Sequence, residues 1–282
     1  MKPFWCRHNF GKPSEINLQI VTKPVDPLDT KPVTSDPRSL YINLLLRTVA
    51  NTIYRDRPQV DNPDVQFDMT ARANGVDWPS VAHTMIGIKR LNSLRALCEQ
   101  AIQENIPGNF METGVWRGGA CILMRGILAA YGDTERKVIV ADSFEGLPAP
   151  NAEQFPHDAG GTYHEFDELK ISMKTVASNF ARYGLLDDQV VFLPGWFSDT
   201  LPKMRDQQFA VLRLDGDMYE STIVALDNLY DGLSPGGFII IDDYGNIPEC
   251  KKATDDFRAT HGIDAELHQA DWTGVWWRKP LS

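Results

Sequence analysis

The sequence has 282 residues, of which 43% are hydrophobic and 23% charged, and its formal net charge is −10. This length fits one large domain or a domain with a substantial extension. No apolar run approaches the roughly 20 residues that span a bilayer, and no apolar segment follows the basic residues near the N-terminus, so we expect a cytoplasmic protein. The negative charge would repel a phosphate backbone without any Lys/Arg cluster to offset it, which argues against a nucleic-acid substrate.

The cysteines are few and widely separated, at Cys6, Cys98, Cys121 and Cys250. This spacing contains no C-x-x-C pair and fits neither a disulfide framework nor a zinc cage. It predicts free thiols.

The first third of the chain divides into an arm and a helical region. Residues 1–38 are rich in Pro, Lys, Asp and Thr and show no periodicity, which is typical of a poorly ordered arm. In the helical region, residues 39–107, one helix is predicted from Ser39 to Asp56 and a second over 83–102. The first helix has apolar residues at near-helical spacing, which predicts one buried face: Leu40, Leu44, Leu45, Val49 and Ile53.

After Gly108, short apolar runs alternate with helical segments, which predicts an α/β domain over residues 108–282 with a doubly wound, mostly parallel sheet. Two further short segments, 265–268 and 275–278, predict a closing antiparallel pair. The candidate parallel strands are FMETGV, KVIVAD, QVVFLPG, FAVLRLD and GGFIIIDD.

A glycine-containing turn follows the first predicted strand. It runs Glu112-Thr113-Gly114-Val115-Trp116-Arg117-Gly118-Gly119, where glycines permit a tight turn and close approach of a ligand to the backbone. The spacing departs from G-x-G-x-x-G and argues against a dinucleotide. Glu112 could favour an ammonium or sulfonium charge on a ligand, although an unliganded turn between a strand and a helix would have a similar sequence.

Polar and aromatic residues follow the next two strands. Asp142 and Ser143 end the second strand at the edge where α/β sheets bind ligands, and the Asp142 carboxylate could accept two ribose hydroxyls or cap a helix. Gly195 and Trp196 follow the third strand. They could provide an apolar wall for an adenine, or Trp196 could belong to the core.

Acidic residues end the fourth and fifth predicted strands, Asp215 after one and Asp242 with Asp243 after the other. Adjacent parallel strands bring such carboxylates to one edge, where their like charges require a cation unless they only cap helices. Because no Cys or His stands near them in the sequence, the ligands favour Mg²⁺ first and Mn²⁺ or Ca²⁺ next. Asp215 is the first candidate for a general base that takes a proton from a substrate hydroxyl, and Asp217 is the alternative.

With these motifs, the chain resembles the macrocin O-methyltransferase family, whose members methylate sugar hydroxyls of antibiotics such as tylosin, mycinamicin and novobiocin. The resemblance runs from about residue 39 to residue 278. It depends on YINLLLRTVANTIY, MIGIKRLNSL, METGVWRGGA, ADSFEGLP, NFARYGLLDDQVVFLPGWFSDTLP, LRLDGDMYEST and IIIDDY.

The resemblance implies the class I S-adenosylmethionine-dependent methyltransferase fold, with a seven-stranded sheet whose last strand is antiparallel. It implies magnesium on Asp215, Asp242 and Asp243, a homo-oligomer, and a small glycosylated or phenolic acceptor with no nucleic acid or membrane as partner. The cofactor residues that it implies are Thr84, Met85, Ser93, Glu112, Thr113, Gly114, Val115, Trp116, Arg117, Asp142, Ser143, Gly195 and Trp196.

Residues 143–173 form a connection too long and polar for a simple crossover, which predicts a lid. Its Phe155, His157, Tyr163 and His164 are candidates to touch the acceptor, and a lid histidine is a third candidate base. The expected activity is methylation of a sugar hydroxyl on a glycosylated natural product. Alternatives are a catechol-type O-methyltransferase, an NAD-dependent dehydrogenase and a non-catalytic ligand-binding protein.

Overall fold

A computed structural model of the chain describes residues 36–60, 62 and 64–281. Most of the predicted arm, with Cys6, lies outside these residues. Helix α1, Pro37–Val49, begins inside the predicted arm because the Asp36 side chain caps it, accepting hydrogen bonds from the backbone N–H groups of Arg38 and Ser39. None of the helices in the described ranges is long and apolar enough to cross a membrane.

The buried face of α1 differs from the predicted one. Leu45 and Val49 are buried as expected, but Leu40 and Leu44 are exposed, while Ile42 and Leu46 take the inner positions. The helix also ends at Val49, so Ile53 lies beyond it in a turn. The apolar residues of α1 are spaced so that either of two helix faces could be buried. Packing against helix α4, Gly119–Tyr131, determines which face is buried.

The polar stretch between the two predicted helices is ordered around a buried arginine. It contains helix α2, Met69–Asn74, which the sequence pattern did not predict. Arg72 of this helix is fully buried and forms ion pairs with Asp56 and Asp77. Its guanidinium also donates to the carbonyl oxygen of Ala50, so one side chain joins three parts of the stretch.

Helix α3, Gly87–Gln103, begins four residues later than predicted. Thr84 and Met85 therefore precede the helix rather than lie on it. This difference matters for the site, because residues in a helix entry can approach a neighbouring cavity with both backbone and side chain.

The centre of the fold is a seven-stranded sheet in the order β3-β2-β1-β4-β5-β7-β6. Strands β1 to β5 pair in parallel, and β7 is antiparallel to both of its neighbours. The predicted mostly parallel sheet with an antiparallel last strand is confirmed. The strands are β1 Asn109–Thr113, β2 Val138–Asp142, β3 Val190–Pro194, β4 Phe209–Leu214, β5 Leu233–Ile241, β6 His268–Gln269 and β7 Val275–Arg278.

Two apolar layers cover the sheet, one on each face. Alternate residues of each strand point to opposite faces, so Phe110 packs with α3 and α4 while Met111 packs on the other side. The remaining helices are α5 Met173–Arg182, α6 Phe197–Thr200, α7 Tyr219–Leu229 and α8 Pro248–Thr260. The predicted strand GGFIIIDD begins earlier than expected, at Leu233, and its pairing with β4 shifts register near this end.

The strand order places a topological switch point between β1 and β4. The chain moves outward from β1 through β2 to β3 and then returns to form β4 on the other side of β1. Ligands of open α/β sheets bind at the carboxyl ends of strands beside such a point. The connection 143–173, which contains the 3-10 turns Pro156–Asp158, Tyr163–Glu165 and Asp167–Leu169, reaches the same edge.

Candidate active site

A cavity of about 770 Å³ lies at the carboxyl edge of the sheet. Residues after β1, β2, β4 and β5 line it, together with the entry to α3 and the connection 143–173. We call the part around Gly114 and Asp142 the glycine-turn side, and the part around Asp215, Asp242 and Asp243 the carboxylate side. The volume is within the usual range for small-molecule sites.

The glycine turn packs directly against strand β4. Gly114 has φ +79°, and a Cβ added there would lie 1.7 Å from the carbonyl oxygen of Asp215. Only glycine has both the left-handed conformation and the absence of a side chain that this approach requires. The two sides of the cavity therefore meet at a backbone contact.

Asp142 organises the glycine-turn side through its carboxylate. One oxygen accepts the backbone N–H of Val115 at 2.8 Å, and the other accepts that of Phe144 at 2.7 Å. Burial raises the pKa of Asp142, and these hydrogen bonds oppose the rise. The Ser143 hydroxyl is a second, longer donor to the oxygen that binds Phe144, at 3.4 Å, so the oxygen that binds Val115 is the better acceptor for a hydroxyl of a ligand in the cavity.

Nine of the thirteen residues expected at the cofactor line this cavity: Thr84, Met85, Glu112, Gly114, Val115, Trp116, Asp142, Ser143 and Trp196. Thr84 and Met85, whose assignment came from the resemblance alone, are among them. Their position in the entry to α3 explains why helical periodicity gave no signal for them.

Four expected residues do not line the cavity. Ser93 lies on α3 and Thr113 is buried within β1. Arg117 donates to the carbonyl oxygens of Pro79 and Ala82, so its contacts join the glycine turn to the helical region. Gly195, at φ +130°, donates its N–H to the carbonyl oxygen of Asp142 and thereby sets the position of Trp196.

Glu112 has partners within the protein that the sequence did not predict. Its side chain is buried, binds the Arg213 guanidinium and accepts the thiol proton of Cys121 at 2.8 Å. Burial raises its pKa to about 7, against the opposing effect of Arg213. Glu112 also lines the cavity, so its expected interaction with a positive charge on the methyl donor stays a prediction.

The carboxylate side brings Asp215, Asp242 and Asp243 together. One oxygen from each lies within 4.8 Å of the others. Backbone bonds hold the three positions in register, since the N–H of Asp215 binds the Thr113 carbonyl and that of Asp242 binds the Leu214 carbonyl. The convergence predicted from neighbouring strand ends is therefore present in the fold.

Two buried arginines contact these carboxylates. Arg213 of β4 binds Asp242 and also Asp215, the latter at 2.9 Å. Arg90 of α3 binds the other oxygen of Asp242 and lies 3.2 Å from Asp271. Neither arginine was predicted from the sequence. An arginine within the apolar run LRLD is nevertheless a detectable signal, because a buried cation needs acidic partners.

The arginines do not neutralise the cavity. Seven carboxylates line it, but Arg90 and Arg213 are the only basic side chains among its described lining residues. An Asp243 oxygen is buried and has no hydrogen-bond partner within the described part of the chain. Burial and like charges raise the pKa of Asp243 well above its usual value and that of Asp217 to about 8.

This donor set suits a hard divalent cation, because an unpartnered buried carboxylate oxygen and an excess of negative charge both favour one. Burial raises the pKa of the Cys250 thiol well above its usual value, and the charge of Asp243, which is near it contrary to expectation, raises that pKa further. A protonated thiol is a poor ligand, so the oxygen ligands still favour Mg²⁺ over a softer metal.

The lid candidates divide into two groups. Tyr163 lines the cavity, with Phe166 and Leu169 of the same connection. Phe155, His157 and His164 do not line it, and His157 instead packs on the ring of Tyr219 with centroids 4.8 Å apart. This placement argues against a lid histidine as the base.

The chain is similar to known methyltransferases over most of its length. Residues 33–279 match the model of the family described as Macrocin-O-methyltransferase (TylF). The 8-demethyl-8-(2,3-dimethoxy-alpha-L-rhamnosyl)-tetracenomycin-C 4'-O-methyltransferase of Streptomyces olivaceus is 51% identical over 248 residues, which cover 87% of this chain and 95% of that protein. The Mycinamicin III 3''-O-methyltransferase of Micromonospora griseorubida is 51% identical, covering 85% and 96%.

A solved structure supports the same assignment. The O-methyltransferase NovP superposes with a TM-score of 0.83 at 47% identity, covering 86% of this chain and 99% of that one. These matches exclude the dehydrogenase and non-catalytic alternatives. The chain belongs to the macrocin-O-methyltransferase family and is an S-adenosylmethionine-dependent O-methyltransferase.

Proposed function

We propose that this enzyme methylates a sugar hydroxyl of a glycosylated small molecule and that it requires Mg²⁺ held by Asp215, Asp242 and Asp243. The observation that carries the metal requirement is the convergence of these carboxylates in the same cavity as the glycine turn. The sugar acceptor is supported by the relatives, since the Streptomyces olivaceus enzyme is named for a substrate that carries a rhamnosyl group.

In this reaction the acceptor oxygen bonds to the methyl carbon, the bond between that carbon and sulfur breaks, and the hydroxyl proton leaves. A magnesium ion bound to the three aspartates would polarise the acceptor hydroxyl and lower its pKa. The residues of the glycine-turn side, with Asp142, would bind and orient the methyl donor. Asp215 would accept the proton, and Asp217 is the alternative base because it lines the same cavity.

The cavity beyond the glycine turn supports an acceptor with both polar and apolar surface. Aromatic side chains line it at Trp78, Tyr163, Phe166 and Trp272, and Asn246 adds a polar group. Rings pack well against the apolar face of a sugar, while carboxylates and amides accept or donate to its hydroxyls. The connection 143–173 contributes Tyr163 and Phe166.

A matched acceptor series tests the proposal. The enzyme is incubated with S-adenosylmethionine, Mg²⁺ and one of three acceptors: a rhamnosylated aromatic compound, its aglycone, or a simple catechol. We expect methylation of the sugar alone, abolished by EDTA and restored by Mg²⁺, with the methylated position read by NMR. Rapid methylation of the catechol or the aglycone without sugar methylation would favour the phenolic alternative, and full activity in EDTA would exclude the metal.

A further inference from the structure

The lid segment, residues 143–173, has a single buried residue, and that residue is charged. Asp158 is 3% exposed, whereas every other residue of this fully described segment is half-buried or exposed. A carboxylate is costly to bury without partners. Asp158 is therefore expected to have hydrogen-bond partners within the fold.

Both oxygens of Asp158 bind the first turn of helix α7. One accepts the backbone N–H of Tyr219 at 2.7 Å, and the other accepts that of Glu220 at 2.9 Å. The residue in the N-cap position of α7, Met218, makes no side-chain capping bond. A side chain about sixty positions earlier in the sequence thus satisfies amides that a local cap would ordinarily satisfy.

Neighbouring contacts hold the same turn against α7. The rings of His157 and Phe155 lie 4.8 and 6.3 Å from that of Tyr219, measured between centroids. The hydroxyl of Tyr219 donates to Asp256 of helix α8 at 3.0 Å. The 3-10 turn Pro156–Asp158 is therefore attached at one small area of α7.

This attachment is next to the carboxylate side. Helix α7 begins four positions after Asp215, and Asp217 lies between them in a left-handed conformation with φ +58°. The other end of the lid segment contacts the glycine-turn side, where Trp116 donates its indole N–H to the Glu168 carbonyl at 2.9 Å. Between these two attachments, Tyr163 and Phe166 form part of the cavity wall.

We propose that Asp158 is a positioning residue that latches the lid segment shut over the cavity by capping helix α7. The cap forms only when the turn Pro156–Asp158 is docked, so closing of the lid and ordering of the loop from Asp215 to Tyr219 occur together. An open lid leaves the amides of Tyr219 and Glu220 without this acceptor. The latch slows the release of S-adenosylhomocysteine and holds the lid segment in its closed position. This role does not depend on which acceptor or metal the enzyme uses.

The test compares Asp158→Ala, Asp158→Asn and a control, Asp167→Ala. Asp167 is an exposed aspartate of the same segment whose carboxylate pairs only with the exposed Lys170 among the contacts found for its side chain. Asparagine keeps one acceptor oxygen and so one of the two hydrogen bonds. Hydrogen exchange is measured by mass spectrometry with S-adenosylhomocysteine bound, and the dissociation rate of that product by stopped flow.

In Asp158→Ala we expect faster exchange in peptides covering residues 151–169 and 218–224, and product dissociation about tenfold faster. Asp158→Asn should fall between Ala and wild type, and Asp167→Ala should match wild type. Unchanged exchange at 218–224, or unchanged product release, would overturn the latch. Faster exchange throughout the sheet would also overturn it, because it would show a general loss of stability.

Discussion

The two sides of the cavity differ in how completely the protein satisfies their polar groups. On the glycine-turn side, both Asp142 oxygens accept backbone N–H bonds, so this side is formed without a ligand. On the carboxylate side, an Asp243 oxygen is buried without a partner and Asp217 has a pKa raised to about 8. One side is preorganised, and the other is arranged around a positive charge that the protein supplies only in part.

This contrast predicts that the two sides can be disabled separately, and the largest effect is expected from Asp215→Ala. Removing this carboxylate takes away one of three converging oxygen ligands and the first candidate base. We expect turnover to fall at least about a thousandfold, which corresponds to several kcal/mol of transition-state stabilisation. Affinity for S-adenosylhomocysteine, measured by calorimetry, should stay within about tenfold, or about 1.4 kcal/mol.

Asp217→Asn is the matched variant on the same loop. If Asp215 is the base, Asp217→Asn should retain measurable turnover while Asp215→Ala does not. Because Asp215→Ala also removes a metal ligand, loss of turnover in Asp217→Asn with unchanged binding of Mn²⁺ is the result that would assign the proton to Asp217. A large loss of product affinity in Asp215→Ala would contradict the separation of the two sides.

A smaller effect, on binding of the cofactor product rather than on binding of the metal, is expected from Asp142→Ala. This change leaves the amides of Val115 and Phe144 without their acceptor, at about 1–3 kcal/mol for each unsatisfied group. Calorimetry should show at least about tenfold weaker binding of S-adenosylhomocysteine. Binding of Mn²⁺, followed by electron paramagnetic resonance, should remain close to that of wild type.

Ser93→Ala serves as the control for that measurement, because Ser93 does not line the cavity. Its affinity for S-adenosylhomocysteine should equal that of wild type. A loss as large as that of Asp142→Ala would show that α3 contacts the donor after all.

The smallest effect concerns pH. Asp217 has a folded pKa of about 8 and Glu112 one of about 7, both above their values in an unfolded chain. The folded state then binds more protons than the unfolded state, so the free energy of unfolding falls as pH rises from about 4 to 8. We expect the metal-free protein to show a lower Tm at pH 8 than at pH 6, and Mg²⁺ to raise Tm more at pH 8.

The measurement is a thermal melt at constant ionic strength, with EDTA or Mg²⁺, at both pH values. Asp215→Ala provides the control, since its response to Mg²⁺ should be much smaller. An equal Mg²⁺ effect at both pH values in the wild-type protein would contradict the link between these carboxylates and the metal.

The sequence was informative where a residue's position follows from strand order. Asp142, Asp215 and Asp242 stand at or just beyond the carboxyl ends of apolar strands, and parallel pairing brings such ends to one edge regardless of distant contacts. The glycine turn was recognisable for the same reason, because its backbone geometry is local. The aspartates at the strand ends and the glycine turn make up most of the candidate site.

The sequence was less informative where a side chain's role depends on distant partners. Arg90 reaches Asp242 from a helix more than a hundred residues earlier, and periodicity shows only that it lies near a buried face. Arg72 orders the stretch between the two predicted helices, because its partners Asp56 and Asp77 are spread along it. Leu40 and Leu44 are exposed because of the way α1 packs, and the spacing of apolar residues alone does not determine that packing.

The contact between Gly114 and the Asp215 carbonyl has a consequence for how this enzyme can be re-engineered. No side chain fits between these two backbones, so point substitutions cannot widen the separation of the two sides of the cavity without disrupting the fold. A library for new acceptors is better directed at the cavity wall that side chains form, at Val76, Trp78, Tyr163, Phe166 and Trp272. Every member of the library would then retain the backbone contact that joins the two sides.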